Sequence, residues 1–242
     1  MNKRAATLIG TPVTKKILRM FGSSIVGFWP MTETHMNVAY DISGNGLNGT
    51  ISAAGVAIAS GSGPRKKPSP LFSAGSIDIY STSLNTLFNN TEGSLIIWNK
   101  VTSTVWGDGT NDCMLHVGKD ATTNYVRLLK SSTANKISGS YMAGSSDKTR
   151  LSDAQTTTDW FLAAFTYSVS GNAGILYFNG VKQGATLTTL GTWSGNLATT
   201  FCQIGAQVKT TPALPENGYL QYALILNRAA TASEFISLYN MS

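Results

Sequence analysis

The stretch that indicates the fold most clearly is residues 160–180, WFLAAFTYSVSGNAGILYFNG. Two runs rich in aromatic and aliphatic residues flank the polar residues 170–172, which predicts a β-hairpin. The second run ends in Asn179 followed by Gly180, a pair that favours the tight type I′ turn. A further strand is therefore predicted to begin after Gly180, so this part of the chain should consist of consecutive antiparallel strands.

Apolar runs of similar length recur along the rest of the chain, and residues that favour turns separate them. They lie at residues 25–31, 75–80, 94–101, 114–118, 125–130, 136–142, 201–206 and 218–227. Roughly a dozen short strands of this kind predict an all-β fold, a two-sheet antiparallel jelly-roll sandwich. Residues 143–159 are polar and are predicted to form a loop. Residues 231–240 predict a short helix on the outside of the sandwich, capped by Thr231 or Ser233.

The composition agrees with strands joined by turns. Charged residues make up 12% of the 242 residues, against roughly 25% in an average soluble domain. The chain contains 26 Ser, 29 Thr and 24 Gly. Helical bundles and coiled coils need stretches rich in Glu, Lys and Leu, so these folds are excluded. Aromatic residues make up 10% of the chain, which argues against disorder.

The net charge of +6 comes from two short segments of the chain. Residues 1–24 contain no acidic residue, and their basic residues are Lys3, Arg4, Lys15, Lys16 and Arg19. Residues 65–67 contribute three further positive charges. A nucleic-acid-binding domain normally carries its basic residues across a folded face, so nucleic acid is not expected as a partner.

The basic N-terminal segment is predicted to contain a short amphipathic helix at residues 12–22, where apolar residues recur at helical spacing. An isolated helix of this length is marginal in water. We therefore expect residues 1–24 to be an attachment arm that docks on an acidic partner, outside a sandwich domain of residues 25–242. The residues predicted to make the attachment are Lys3, Arg4, Lys15, Lys16, Ile17, Leu18, Arg19 and Phe21. The alternative is that this helix packs on its own sandwich.

No segment for secretion or membrane insertion is evident, because no apolar run near the start suits a signal peptide and none approaches the ~20 residues of a membrane span.

Cys113 and Cys202 lie in apolar segments 89 positions apart. Neither belongs to a pattern of zinc ligands. Two buried free thiols are expected, with a disulfide as the alternative.

Three longer stretches share their pattern with a known family. They are GFWPMTETHMNVAYDISGNGLNGT at 27–50, DWFLAAFTYSVSGNAGILYFNGVKQG at 159–184, and QIGA with NGYLQYALILNRAATASEFISLYN at 203–206 and 217–240. In order and spacing they resemble LamG-like members of the concanavalin A-like lectin/glucanase superfamily. The resemblance implies a jelly roll over residues 27–240. It leaves the function open, because this fold hosts lectins, glycanases and structural modules.

The paired carboxylates of the superfamily's glycanases are not evident in this sequence. A retaining glycanase needs two carboxyl groups about 5–5.5 Å apart, which on one strand means alternate acidic residues. Glu33, Glu92 and Glu216 have no carboxylate two or four positions away. We therefore expect that the protein is not an enzyme.

Candidate binding residues concentrate in the segment VWGDGTND at 105–112. An exposed aromatic ring beside amide and carboxylate groups is typical of a sugar-binding site, and the residues predicted for this role are Trp106, Asp108, Asn111, Asp112 and Trp193. Calcium prefers several oxygen ligands, which Asp108, Asn111 and Asp112 offer in this segment and Asp41 and Asn45 offer in another. Similar sandwich modules carry structural calcium. The alternative to calcium binding is that these Asp and Asn residues only form turns.

Three functions remain open at this point. The first is a non-enzymatic, lectin-like decoration module that the arm anchors to a larger assembly, with contact to glycans for adhesion. The resemblance implies a bacteriophage virion as the setting, with a capsid, tail or fibre as partner and an oligomeric or lattice-bound state. The second is a free lectin, extracellular or on a cell surface. The third and least favoured is a glycan-cleaving enzyme.

Overall fold

The computed structural model describes residues 12–32, 37–52, 55–59, 63, 67–144, 146–209 and 213–241. The strands, in chain order, are β1 (Ile25–Trp29), β2 (Val38–Ala39), β3 (Gly49–Ile51), β4 (Val56–Ala59), β5 (Ser69–Ser73), β6 (Ile77–Asp78), β7 (Glu92–Lys100), β8 (Asp112–Gly118), β9 (Asn124–Lys130), β10 (Ile137–Ala143), β11 (Ser146–Leu151), β12 (Phe161–Ser168), β13 (Ala173–Phe178), β14 (Val181–Leu187), β15 (Cys202–Ile204) and β16 (Asn217–Leu226). The helices are α1 (Pro12–Phe21), α2 (Thr82–Leu87), α3 (Ser103–Trp106) and α4 (Ala232–Tyr239), and residues Gly22–Ser24 form a 3-10 turn.

The strands form two antiparallel sheets of eight, which confirms the predicted sandwich. The first sheet runs β14-β13-β12-β7-β16-β5-β4, and β1 also pairs with β16. The second sheet runs β11-β10-β9-β8-β15-β6-β3-β2. Strands distant in sequence therefore become neighbours, as β7 and β16 do at the centre of the first sheet.

The predicted hairpin is present as β12 and β13, which pair from Ala163 opposite Phe178 to Ser168 opposite Ala173. The predicted turn after it is also confirmed. Asn179 and Gly180 both have positive φ, at 51° and 80°, which is the backbone that a type I′ turn requires. The turn brings β14 beside β13, so this end of the first sheet follows directly from local sequence.

Between the sheets lies the main hydrophobic core, to which both sheets contribute alternate residues. Trp29, Phe72 and Phe165 come from the first sheet, and Leu115 and Tyr141 come from the second. All five side chains are fully buried. Burial of this apolar surface is the main driving force that holds the sheets together.

A second hydrophobic cluster covers the outer face of the first sheet. Ile96, Trp98 and Leu162 point into it, and helices α1 and α4 supply its other side. The central strand β7 is consequently buried on both faces, which explains why its sequence is apolar without the alternation of a half-exposed strand.

Helix α1 lies where the sequence predicts a helix, but its apolar face is not free. Val13, Ile17 and Phe21 are buried in the outer cluster of the same chain. The prediction that Ile17 and Phe21 dock on a partner is therefore wrong, and the alternative of packing on the sandwich is right. Leu18 is also partly buried there. The physical reason is that a marginal helix gains most by covering the nearest exposed apolar surface.

The other residues predicted for attachment fall into two groups by location. Lys15, Lys16 and Arg19 are exposed on the solvent side of α1. Lys3 and Arg4 lie outside the described residues. An attachment role for these five basic residues stays a prediction.

Helix α4 begins with the predicted cap. Thr231 forms a capping box with Glu234: the Thr231 hydroxyl accepts from Glu234 N, and Glu234 accepts from Thr231 N at 2.8 Å. Phe235 and Leu238 of α4 are buried in the outer cluster, so the helix packs on the outside of the sandwich as predicted. Among the described residues, no helix has the length and apolar character to cross a membrane.

Residues 143–159 are only partly a loop, because Ser146–Leu151 form the edge strand β11. The prediction of a continuous loop is wrong here. Side chains along β11 alternate between half-buried and exposed, and a polar strand of this kind suits the edge of a sheet. Composition alone does not separate such a strand from a loop.

Both cysteines are buried free thiols, as expected. Burial raises the pKa of the Cys113 and Cys202 thiols to about 12, so both remain protonated and unreactive at neutral pH.

Candidate functional site

An acidic pocket of about 610 Å³ opens at one end of the sandwich. The end of β5, the segment between α3 and β8, and the residues that precede β16 form its walls. Its lining residues are Ser73, Ala74, Asp108, Thr110, Asn111, Asp112, Leu214, Pro215, Glu216 and Asn217. Asp108, Asn111 and Asp112, which the sequence singles out as binding candidates, thus share one surface.

A buried lysine accompanies the two aspartates of this pocket. Lys130 Nζ lies 2.5 Å from Asp108 Oδ1 and 3.0 Å from Asp112 Oδ2, and it donates to Thr110 O at 2.9 Å. Its side chain is fully buried, whereas that of Asp108 is 24% exposed. Lys130 points inward because it follows the alternation of Val126 and Leu128 along β9.

The two aspartates differ in acidity because they differ in burial. Burial raises the pKa of Asp108, but hydrogen bonds from Lys130 and Thr110 outweigh it, and the pKa lies below its ordinary value. For Asp112 burial has the larger effect, and the pKa lies above its ordinary value despite the same two partners. The exposed carboxylate of the pocket is thus the more acidic one.

Glu216 is a third acidic group of this pocket, and it is fully buried. Its Oε1 accepts a hydrogen bond of 2.7 Å from Asn99 Nδ2. Burial, and then the negative charge of Asp112, raise the pKa of Glu216 to about 8. This carboxyl group is therefore mainly protonated at neutral pH.

A groove of about 520 Å³ adjoins the acidic pocket, and Asn217 lines both. The groove is lined by Leu71, Lys100, Val101, Thr102, Ser103, Thr104, Val105, Thr158, Asn217, Gly218 and Tyr219. Thr102, Ser103, Thr104 and Thr158 are exposed, so we call this surface the hydroxyl groove. Half-buried Tyr219 adds an aromatic wall to it.

Trp106 and Trp193 are not exposed, contrary to the prediction. Trp106 is 2% exposed; it donates from Nε1 to Thr157 O at 2.6 Å and its ring lies 5.4 Å from that of Phe161. Trp193 is 7% exposed and packs near Tyr141. Both residues close the core beneath loops, so neither presents a ring for a sugar to stack on.

Neither predicted calcium loop fits a calcium ion. Between Asp108 and Asp112, the ammonium group of Lys130 already supplies the positive charge. Asn111 Oδ1 accepts from Ser132 N at 2.7 Å. A cation beside Lys130 would face electrostatic repulsion, so these residues are better explained as an ion-paired loop.

In the second loop the predicted ligands serve the backbone. Asp41 accepts hydrogen bonds from Phe28 N, Ser43 N and Leu47 N, each at 2.9 Å. Asn45 Nδ2 donates to two backbone carbonyls of β1. The oxygens of Asp41 are therefore used in ordering the turn, which is the alternative that the sequence leaves open.

Sequence reasoning missed the residues that give the site its character. Lys130, Asn217 and Tyr219 carry no motif, and Glu216 has no acidic neighbour in sequence. One signal was available: a lysine at an inward position of an apolar strand has to find a carboxylate.

The sandwich is similar to several solved structures at low sequence identity. Domain 4 of AbnA, an extracellular arabinanase from Geobacillus stearothermophilus solved in complex with arabinotriose, has 16% identity and a TM-score of 0.64; the match covers 89% of this chain and 98% of that domain. The binding domain of botulinum neurotoxin serotype D has 13% identity and a TM-score of 0.65, with 92% of this chain and 53% of that one covered. Trypanosoma rangeli sialidase has 12% identity and a TM-score of 0.65, with 90% and 32% covered.

These likenesses show the fold, a two-sheet antiparallel β-sandwich. The chain spans about half of the neurotoxin domain and about a third of the sialidase. No protein-family model and no curated protein matches the sequence.

Proposed function

We propose that the protein is a non-enzymatic, lectin-like module that binds glycans on the acidic pocket and the hydroxyl groove. One observation carries the proposal. The two cavities meet at exposed Asn217 and place hydroxyl, amide and carboxylate groups beside the ring of Tyr219 on a continuous surface. A concave surface with a few polar groups and an aromatic wall is the usual form of a small-ligand site.

The chemistry of the surface suits a sugar chain. A sugar ring has an apolar face and a periphery of hydroxyl groups. Tyr219, whose ring centroid lies 6.4 Å from that of Trp160, would stack on the apolar face. The amide of Asn217 would donate and accept hydrogen bonds at the periphery, and the carboxylate of Asp108 would accept them. The AbnA domain, which has the same fold, was solved with arabinotriose bound.

The absence of catalysis is part of the same proposal. General acid–base hydrolysis needs two carboxyl groups that reach the substrate. In the pocket, Glu216 is fully buried and Asp112 is 3% exposed and paired with Lys130. Asp108 is left as the carboxylate that a bound sugar could contact.

We expect Tyr219→Ala to lower glycan affinity by at least about tenfold, equivalent to about 1.4 kcal/mol, because the stacking surface is lost. A glycan array probed with the full chain identifies the ligand, and isothermal titration of that ligand measures the affinity. Tyr80→Ala is the matched control, since Tyr80 is also half-buried but lines neither cavity.

The proposal fails if Tyr219→Ala and Asn217→Ala bind the glycan as wild type does. Release of reducing ends from the bound glycan by the purified protein would contradict the non-enzymatic part alone.

We further propose that the module attaches to a larger assembly through the basic face of α1. Lys15, Lys16 and Arg19 are all exposed while the opposite face of the helix is buried, so the charges point away from the sandwich. They suit an acidic partner surface. The setting we favour is the surface of a virion; an extracellular or cell-surface lectin is the alternative.

We expect the combined change Lys15→Glu, Lys16→Glu and Arg19→Glu to abolish co-purification of this protein with the virion or other assembly that carries it. Folding of the variant should stay intact. Reversal of three lysines elsewhere, at Lys119, Lys136 and Lys182, is the control for total charge. Raised salt should weaken the wild-type association, because exposed charges are screened. Electron microscopy of the native source shows whether the assembly carries the charge-reversed chain. If it does, attachment through the basic face of α1 is excluded.

A further inference from the structure

A buried carboxyl group and a buried amide face each other beneath the acidic pocket. Glu216 and Asn99 are both fully buried, and Asn99 Nδ2 donates to Glu216 Oε1. Within the part of the chain that the structure describes, the remaining oxygens of the same two groups, Glu216 Oε2 and Asn99 Oδ1, have no hydrogen-bond partner. Both atoms are acceptors when Glu216 is ionised. Because buried polar atoms are nearly always paired, these two oxygens favour a protonated carboxyl group at Glu216.

The charges around Glu216 favour the neutral form. From the second sheet, the charges of Asp112 on β8 and Lys130 on β9 act on Glu216. Asp108, in the segment before β8, is paired with the same lysine. Lys130 offsets one of the two aspartates, so ionised Glu216 would be a second uncompensated negative charge.

The other titratable groups near Glu216 do not change this balance. The Cys113 thiol on β8 is buried, and its pKa of about 12 keeps it neutral. Lys100, which follows Asn99 on β7, is half-buried and lines the hydroxyl groove.

Glu216 also belongs to the wall of the pocket. Residues 213–216 lead into β16, and Leu214 and Pro215 line the cavity. Backbone hydrogen bonds tie this segment to its neighbours: Glu216 N donates to Gly205 O at 2.8 Å, and Cys113 N donates to Leu214 O at 2.9 Å. A change in the protonation of the Glu216 side chain would therefore affect residues 213–216 directly.

We propose that Glu216 is a proton-dependent latch for the wall formed by residues 213–216. In the neutral form Oε2 carries the proton and donates to Asn99 Oδ1, which completes a pair of hydrogen bonds between acid and amide. When the proton leaves to solvent, one of these bonds is lost and two like charges, on Glu216 and Asp112, face each other. The wall then loosens. This inference concerns the pocket itself and stands whether or not a glycan binds there.

The first test measures the proton directly, in the full wild-type chain. The carbon resonance of the Glu216 carboxyl group, followed by NMR from pH 4 to 9.5, should titrate with a midpoint near the pKa of about 8, far above the usual glutamate value of about 4.3. A midpoint below pH 6 would overturn the proposal.

The second test measures the wall. Hydrogen exchange at the amides of Glu216 and Cys113, corrected for the intrinsic rate, should lose about tenfold in protection between pH 7 and 9. Glu216→Gln stays neutral and keeps both hydrogen bonds to Asn99, so its protection should not change. Glu92→Gln, at the opposite end of β7, is the matched control and should follow wild type. Equal alkaline loosening in Glu216→Gln, or none in wild type, would contradict the latch.

The proton also fixes the sign of the pH dependence of stability. The pKa of Glu216 is about 8 in the folded chain against an ordinary value of 4.5, so its contribution is fully present below pH 4.5 and is lost as the pH rises to about 8. Relative to Glu216→Gln, the unfolding temperature of wild type should fall by about 10–20 °C across that window. A constant difference between the two proteins would show that Glu216 is ionised throughout.

Discussion

Lys130→Met should destabilise the protein by about 3–5 kcal/mol, because it leaves the buried Asp112 carboxylate and its neighbour Asp108 without a counter-charge. Lys130 is fully buried and contacts both carboxylates and Thr110 O. A methionine fills a similar volume, so the loss would come from charge and hydrogen bonding. Chemical denaturation followed by tryptophan fluorescence measures the effect.

Two further variants separate the ion pair from simple packing. Combining Lys130→Met with Asp108→Asn and Asp112→Asn removes the uncompensated charges and should recover a large part of the lost stability. Lys182→Met changes an exposed lysine on β14 and should stay within about 0.5 kcal/mol of wild type. If Lys130→Met is as stable as Lys182→Met, the ion pair has no structural role.

Ile17→Ala should cost about 2–5 kcal/mol, the usual cost of removing a fully buried isoleucine side chain beyond Cβ. Ile17 lies in the outer cluster between α1 and the first sheet, and none of its surface is exposed. The measurement is thermal or chemical unfolding of the purified chain without any partner.

The neighbouring residue supplies the control for this variant. Lys16→Ala alters the same turn of α1 on its exposed side and should change stability by less than about 0.5 kcal/mol. If Ile17→Ala were equally mild in the isolated chain, α1 would be free of the sandwich, and the original expectation of a helix that orders only on a partner would regain support.

Turn chemistry and local periodicity predicted most of the elements correctly. The hairpin of β12 and β13, the turn at Asn179 and Gly180 and the capping box at Thr231 each depend on residues within about twenty positions of one another, and the structure has all three. Such features follow from the backbone preferences and side-chain reach of the residues that form them.

Exposure was harder to predict than secondary structure. Trp106 and Trp193 lie in loop-like sequence next to turn formers, yet both rings are buried. The neighbours that cover Trp106 include Thr157, 51 positions away. A short segment therefore does not indicate whether its aromatic residue lies above or below the loop.

The sequence by itself determined the class of fold, the positions of most strands and the helices at both ends, because each follows from local composition and spacing. Only the tertiary structure decided what the polar residues do. Lys130 reaches Asp108 across 22 positions, and Asn99 reaches Glu216 across 117. The physical reason is that such pairs depend on which strands become neighbours, and strand order is set by burial of the whole core rather than by any one segment.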